Sequence, residues 1–328
     1  MQSKTMRLAA ACAAAILAAA PGSLAQSAYP TQPIVLVVPF SAGGPSDTIA
    51  RVLAQSMSGE LGQQVLVENV GGAGGTVGAG RVAASPADGH TLLLGHISLS
   101  IAPAIYRDLP FDPVADFTPV GLATDAAMAI IARPDFPADD VAGLLDEIRT
   151  QGEDLTYAHG GIGAAAHLCG MLIQEATGAA MTTVPYQGTG PALTDILGGQ
   201  VDLMCDQTTN NAAQILSGDV KGYAVTSPTR VPGLPDLPTT AEAGLEGIEI
   251  SVWHGLWGPA GMDPAVVETL RSALATALAD PAVLDRLAAI STTAVAEEDV
   301  TPEALADRLS SQIALWGPII ERAGVYAD

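Results

Sequence analysis

Val38-Pro39-Phe40-Ser41-Ala42-Gly43-Gly44-Pro45 returns, at a constant offset, as Val184-Pro185-Tyr186-Gln187-Gly188-Thr189-Gly190-Pro191. The valine, the first proline, the glycine at 44/190 and the final proline are identical, and the aromatic ring is kept as Phe or Tyr. Each copy follows a β-branched run (Ile34-Val35-Leu36-Val37-Val38; Met181-Thr182-Thr183-Val184) and precedes an amphipathic Ala/Leu stretch, residues 47–61 or 192–198. A strand, a proline-aromatic-glycine turn and a helix therefore occur twice, which points to two α/β lobes with one such turn each.

Around the first turn, residues 65–68 and 91–95 read as further strands, separated by a glycine-rich turn and a helix through Ala84. That β-α-β-α-β order predicts a mainly parallel sheet flanked by helices. Around the second turn, 139–151 and 164–178 read as helices, and 155–158, 201–205 and 222–226 as strands. Residues 264–279, 281–289 and 302–322 are expected to be helical, each opening on a proline, whose missing N–H is harmless in a first turn. The expected organisation is lobe 1 over 29–126 plus 254–328 and lobe 2 over 127–253. Crossovers are expected near 125–128 and 251–255.

Charge narrows the function classes. The 328 residues carry 35 Asp and Glu against 13 Lys and Arg, a net charge of −22, with Lys4 and Lys221 the only lysines. Nucleic-acid binding needs cations that displace counterions from phosphate, so no nucleic-acid partner is expected. Lys4 and Arg7 precede an apolar run over 8–20 and the small residues up to Ala25, the plan of a secretory signal peptide spanning residues 1–25. Export to the periplasm as a soluble monomer follows. Cleavage leaves Cys169 and Cys205, either bridged in an oxidising compartment or buried as two thiols.

Enzyme and cofactor signatures are missing. There is no P-loop, no G-x-S-x-G elbow and no dinucleotide-binding glycine spacing in 71–78. Cys-x-x-Cys and His-x-x-x-His pairs are absent, so neither a metal nor a cofactor is expected. His90, His96, His159, His167 and His254 are scattered and read as core or turn residues. The chain is not expected to be an enzyme.

Strand–turn–helix junctions instead suggest anion binding. Unpaired N–H groups and the helix dipole face the carboxyl edge of the sheet, and glycine lets a ligand approach the backbone. Two such turns facing across a cleft would hold a carboxylate from both sides. The candidate ligand contacts are Phe40, Gly43, Gly44, Ser46 and Asp47 from the first turn, and Tyr186, Gly188, Thr189, Gly190 and Pro191 from the second. Gly74 and Gly75 of the glycine-rich turn, Ser98, Ala165 and Asp206 complete the set. Asp47 and Ser46 read equally as helix caps, Asp206 as a solvated turn, and the turn at 71–78 as close packing. Trp253 and Trp257 read as packing residues.

The chain resembles the solute-binding receptors of tripartite tricarboxylate transporters, the Bug-type periplasmic proteins. Tyr29-Pro30, the run from Pro39 to Asp47, Val67-Glu68-Asn69 with the glycines of 71–78, and Pro86-Ala87-Asp88-Gly89-His90 carry the resemblance. Residues 184–192 and 198–204, Pro235-Asp236-Leu237-Pro238 and Gly258-Pro259-Ala260-Gly261 extend it over the whole mature chain. The resemblance implies a two-lobed receptor that closes on a carboxylate between the two turns, using amides and hydroxyls around Gly43, Gly44 and Ser46 and around Gly188, Thr189, Gly190 and Pro191. It departs from the family at Gly163-Ala164-Ala165-Ala166, where relatives often carry Ser or Thr. The implied ligand is a di- or tricarboxylate, an acidic amino acid or an aromatic acid, and the implied partners are membrane permease subunits. The alternatives are an orphan receptor that senses a carboxylate for a membrane sensor kinase and, behind it, a secreted enzyme on the same scaffold.

Overall fold

The computed structural model describes residues 29–327. β1 (Ile34–Val38), α1 (Pro45–Leu61), β2 (Val65–Asn69), α2 (Thr76–Ala83), β3 (Thr91–His96) and α3 (Ser98–Ile105) lead into a long strand, β4 (Phe117–Ala132). Then come α4 (Val141–Gln151), β5 (Thr156–His159), α5 (Ala165–Thr177), β6 (Thr182–Pro185) and α6 (Thr189–Leu197), followed by β7 (Leu203–Gln207), α7 (Thr208–Ser217) and β8 (Lys221–Val225). β9 (Ser251–Pro259) returns beside β4, and α8 (Pro264–Ala279), α9 (Pro281–Ala289), β10 (Thr293–Ala294) and α10 (Pro302–Ala323) follow. The expected signal peptide, residues 1–25, lies outside the described residues.

The fold is two-lobed and α/β. Its strands pair in the order β2-β1-β3-β9-β4-β7-β5-β6, with β8 and β10 added on β4. The expected parallel pairing holds within the strand–helix units and gives way where β4 and β9 enter. β1 is parallel to β2 and β3, and β5 to β6 and β7, but β9 is antiparallel to β3 and β4, and β4 to β7, β8 and β10. The cause is that β4 serves both halves of the sheet. Phe117 to Ala127 pair with β9, and from Met128 to Ala132 the same strand pairs with β7.

Two helices start earlier than the hydrophobic pattern alone suggests, α1 at Pro45 and α6 at Thr189. The periodic apolar residues mark where a helix meets the core, whereas its first turn here points into a cleft. The sequence pattern does not mark β4, β9, α3 or α7. Thr124-Asp125-Ala126-Ala127-Met128-Ala129 has helix-favouring alanines, yet it lies buried between other strands, so tertiary pairing overrides propensity. α3 contains Pro103, a residue that normally ends a helix.

Packing ties the halves together. Ile49, Leu53 and Met57 of α1 bury against Leu270 and Leu274 of α8. Leu305, Leu309, Trp316 and Ile320 line one face of α10 and join a core cluster that also holds Trp253, Trp257, Leu168 and Leu172. Each fully buried side chain of this kind contributes about 1.5–3 kcal/mol. Cys169 on α5 and Cys205 on β7 are both fully buried and joined by a disulfide. Because the bridge closes a loop of 36 residues, replacing both cysteines by alanine is expected to lower unfolding stability by about 2–4 kcal/mol in urea titrations. An unchanged midpoint would show that the bridge contributes nothing.

Candidate ligand-binding site

The α-helices of the described residues differ in how they begin. Asp140, Asp263, Asp280 and Thr301 cap α4, α8, α9 and α10 with side-chain oxygens, satisfying first-turn N–H groups. α1, α5, α6 and α7 instead follow Gly44, Ala164, Gly188 and Gln207, none of which caps with its side chain. The short helices α2 and α3 also begin uncapped, after Gly75 and Ile97. α1, α5, α6 and α7 directly follow β1, β5, β6 and β7, so their amino ends gather at the carboxyl edge of the sheet. Unpaired amides and positive dipole ends therefore point into one region.

A cavity lies at that point. Gly44, Pro45 and Ser46 line it from α1, Ala164, Ala165 and Ala166 from α5, and Thr189 from α6. Asp206 and Gln207 come from the end of β7, with Phe40, His96 and Gly160 completing the wall. Among the described residues, no lysine or arginine belongs to the lining. The volume is about 20 Å³, room for about one water molecule, so the cleft is shut and has to open to admit anything larger.

Contacts across the cleft are made largely by backbone. Ser41 N–H donates to the Gln187 carbonyl at 3.0 Å, and the Tyr106 hydroxyl donates to the Ile162 carbonyl at 2.6 Å. A Cβ on Gly188 would collide with Ser41 Oγ and stand 2.9 Å from Ser41 N; one on Gly190 would stand 3.1 Å from Gly44 N. On Gly74 it would collide with the Ile162 carbonyl oxygen. The repeated turns face each other, and glycine is what permits the approach.

Polar groups in the wall are uncharged except for one. Ser46 Oγ lies 3.0 Å from His254 Nε2, and His254 Nδ1 lies 3.2 Å from Thr124 Oγ1. His96 Nδ1 accepts the Ser98 N–H at 2.9 Å, which leaves Nε2 as the N–H of the neutral ring. Burial pushes His96 down to about 3 and holds His254 well below the usual histidine range, so both are neutral. Asp206 is the exception. Burial pushes its carboxyl up to about 6, although Asn210 Nδ2 donates to it at 2.6 Å and the Gln207 amide and Thr189 hydroxyl also bond it. Beside it, buried Gln207 leaves Oε1 without a partner.

Of the expected contacts, Phe40, Gly44, Ser46, Ala165, Thr189 and Asp206 line the cavity. Gly43 and Asp47 are engaged with each other: the Gly43 N–H donates to Asp47 Oδ2 at 2.9 Å, and Asp47 pairs with Arg51. That amide is therefore committed to the turn itself. Gly74, Gly188 and Gly190 allow the lobes to touch, and Gly75 packs against Phe40 and Ser98. Ser98 acts on His96 rather than on the cavity. Tyr186 donates its hydroxyl to Asp195 at 2.6 Å, and Pro191 is exposed in the first turn of α6. The sequence reading missed His96, whose place at the end of β3 was the available signal.

Among the described residues no helix is long and apolar enough to cross a membrane, and no cluster of side chains could hold a metal ion. The family model for the tripartite tricarboxylate transporter family receptor matches residues 49–325. A protein of Agrobacterium vitis, named for the TAR-I ttuE-ttuC' intergenic region, is 46% identical over 300 residues, covering 92% of this chain and 87% of its own. The periplasmic binding protein BugD superposes with a TM-score of 0.89 at 46% identity, over 91% of this chain and all of BugD. MatC of Rhodopseudomonas palustris, solved with bound malate, gives 0.87 at 37% identity, over 89% of this chain and all of MatC. The chain belongs to the tripartite tricarboxylate transporter receptor family, as a solute-binding protein of the Bug type.

Proposed function

We propose that this protein is a periplasmic receptor that captures a small dicarboxylate in the cleft and hands it to membrane permease subunits of the tripartite tricarboxylate type. One observation carries the reading: uncapped amino ends of α1, α5, α6 and α7 converge on a closable cavity that no lysine or arginine of the described residues lines. Each main-chain hydrogen bond to an anionic oxygen contributes about 1.5–3 kcal/mol. The malate held by MatC agrees with this chemistry. Residues 1–25 direct export and are removed. Lobe 1 comprises 29–126 plus 254–328 and lobe 2 comprises 127–253, moving about the point where β4 changes partners, between Ala127 and Met128.

The protein acts by binding and not by catalysis. Ser46 and His254 are within hydrogen-bond distance, but the ring's other nitrogen meets the neutral Thr124 hydroxyl. With no carboxylate to stabilise an imidazolium, Ser46 is not activated as a nucleophile. At the other end of the cavity, Asp206 and the unpartnered Gln207 Oε1 are hydrogen-bond acceptors. They favour a dicarboxylate that also carries a donor, above all an ammonium group.

Gly188→Val is expected to abolish carboxylate binding in calorimetry while the ligand-free protein still melts cooperatively, because the added atoms block closure and not the core. Retained affinity would remove the two-sided grip. Wild-type protein is expected to prefer L-aspartate over succinate by about tenfold or more, and Asp206→Asn to erase the preference. Equal affinities in the wild type would leave Asp206 without that role. Because the folded-state pKa of Asp206 is raised to about 6, its contribution to stability is intact below about pH 4 and is lost as the pH rises through about 6. The fall in melting temperature between pH 4 and pH 7 should therefore be smaller for Asp206→Asn than for wild type.

A further inference from the structure

Ser46 lines the cavity, yet its hydroxyl helps a carboxylate only if the proton points at the ligand. A carboxylate accepts hydrogen bonds and donates none. The orientation is decided behind Ser46, where His254 is fully buried between a hydroxyl at each ring nitrogen. A neutral imidazole carries one N–H, which leaves two arrangements. In one, His254 Nδ1–H donates to Thr124 and the Ser46 hydroxyl donates to Nε2, so that Ser46 turns only lone pairs toward the ligand. In the other, the Thr124 hydroxyl donates to Nδ1, Nε2–H donates to Ser46 Oγ, and the Ser46 proton is free for the cavity.

We propose that His254 is a positioning residue: its Nε2–H, set by the Thr124 hydroxyl on Nδ1, fixes Ser46 as a donor to the bound carboxylate. The inference rests on the carboxylate reading of the cleft and names how one of its donors is oriented. The surroundings hold the ring in place. His254 pairs with Thr124 on β4 and with His96 on β3, so three strands fix its backbone. The His96 ring packs edge-on at 5.6 Å between centroids and is itself stacked on Phe40 at 4.4 Å. Threonine is the apt partner for Nδ1. It donates without adding charge, so the ring stays neutral and Ser46 keeps its proton. An acidic residue there would hold Nδ1–H and reverse the relay, turning the Ser46 proton inward. His96 follows the same logic by a shorter route, since the Ser98 amide on Nδ1 leaves Nε2–H on a ring that lines the cavity.

The test reads tautomers directly. Long-range proton–nitrogen correlation spectra of histidine-labelled protein, saturated with L-aspartate, L-malate or succinate, distinguish Nε2–H from Nδ1–H, and the spectrum of His254→Gln assigns the signal. The expected result is protonated Nε2 and bare Nδ1 at His254 in the ligand-bound protein. Calorimetry supplies the second measurement. Ser46→Ala and His254→Leu are each expected to weaken binding about tenfold, and the double variant no further, because both remove the same donor. His254→Gln, whose amide can donate to Ser46, should recover part of the loss. Nδ1–H in the bound state, or additive losses in the double variant, would overturn the relay while leaving the carboxylate site standing. Failure of wild-type protein to bind any of the three acids would overturn both readings together.

Discussion

A helix cannot pair its own first N–H groups, and the cavity proposed as the binding site of this protein is walled by that deficit. At α4, α8, α9 and α10, which begin away from the cleft, Asp140, Asp263, Asp280 or Thr301 closes the amino end. At α1, α5, α6 and α7, which begin at the cleft, the same position is Gly44, Ala164, Gly188 or an uncapping Gln207. Leaving a cap as alanine costs about 0.5–2 kcal/mol, and glycine somewhat less. The fold accepts this loss at four helices whose ends face one cavity. In the proposed complex a bound carboxylate would supply the missing acceptors, so that binding and helix stability would draw on the same groups.

Dividing the proposed donors between two lobes would make affinity depend on closure. A ligand shifts an open–closed equilibrium only by what it binds more tightly in the closed form. α1 and α6 approach from opposite sides, and their turns come close enough for Ser41 N–H to reach the Gln187 carbonyl. Gly74, Gly188 and Gly190 remove the side chains that would hold the turns apart. On the proposed reading rigid helices would provide the donors, and the change of partner along β4 would leave a place where the lobes pivot without breaking either sheet.

Much of this was legible in the sequence, for a physical reason. The echo of Val38–Pro45 in Val184–Pro191 marks strand, turn and helix because proline, glycine and β-branched residues constrain the backbone locally. The features that were not legible depend on distant partners. Alanine-rich β4 is a strand only because β9, β7 and β8 surround it, and α3 carries an exposed Pro103 while most of its other residues are buried. Within the site, glycines announced close approach but not whether the neighbour would be a ligand or the other lobe. Gly43 looked like a free amide, although Asp47, four residues on, already occupies it. His96 and His254 were invisible as a pair because the register of β3 against β9 brings them together.

An anionic ligand, as proposed, is at odds with a net charge of −22 at long range, but a cavity walled by helix amino ends would let the two coexist. Surface carboxylates are screened over about 8–10 Å in physiological salt, whereas amides in a shut cleft act at hydrogen-bond distance without intervening water. Fixed dipoles also do what a lysine cannot. An ammonium on a flexible stem attracts any anion that reaches it, while an amide at a helix end rewards only an oxygen placed on its axis. On the proposed reading Asp206 would work against anions that fill the cavity without a donor, because its buried carboxylate would be left facing another negative charge. Selectivity in the proposed site would follow from having almost no charge to spare, and from placing the single one it keeps where the wrong ligand meets it.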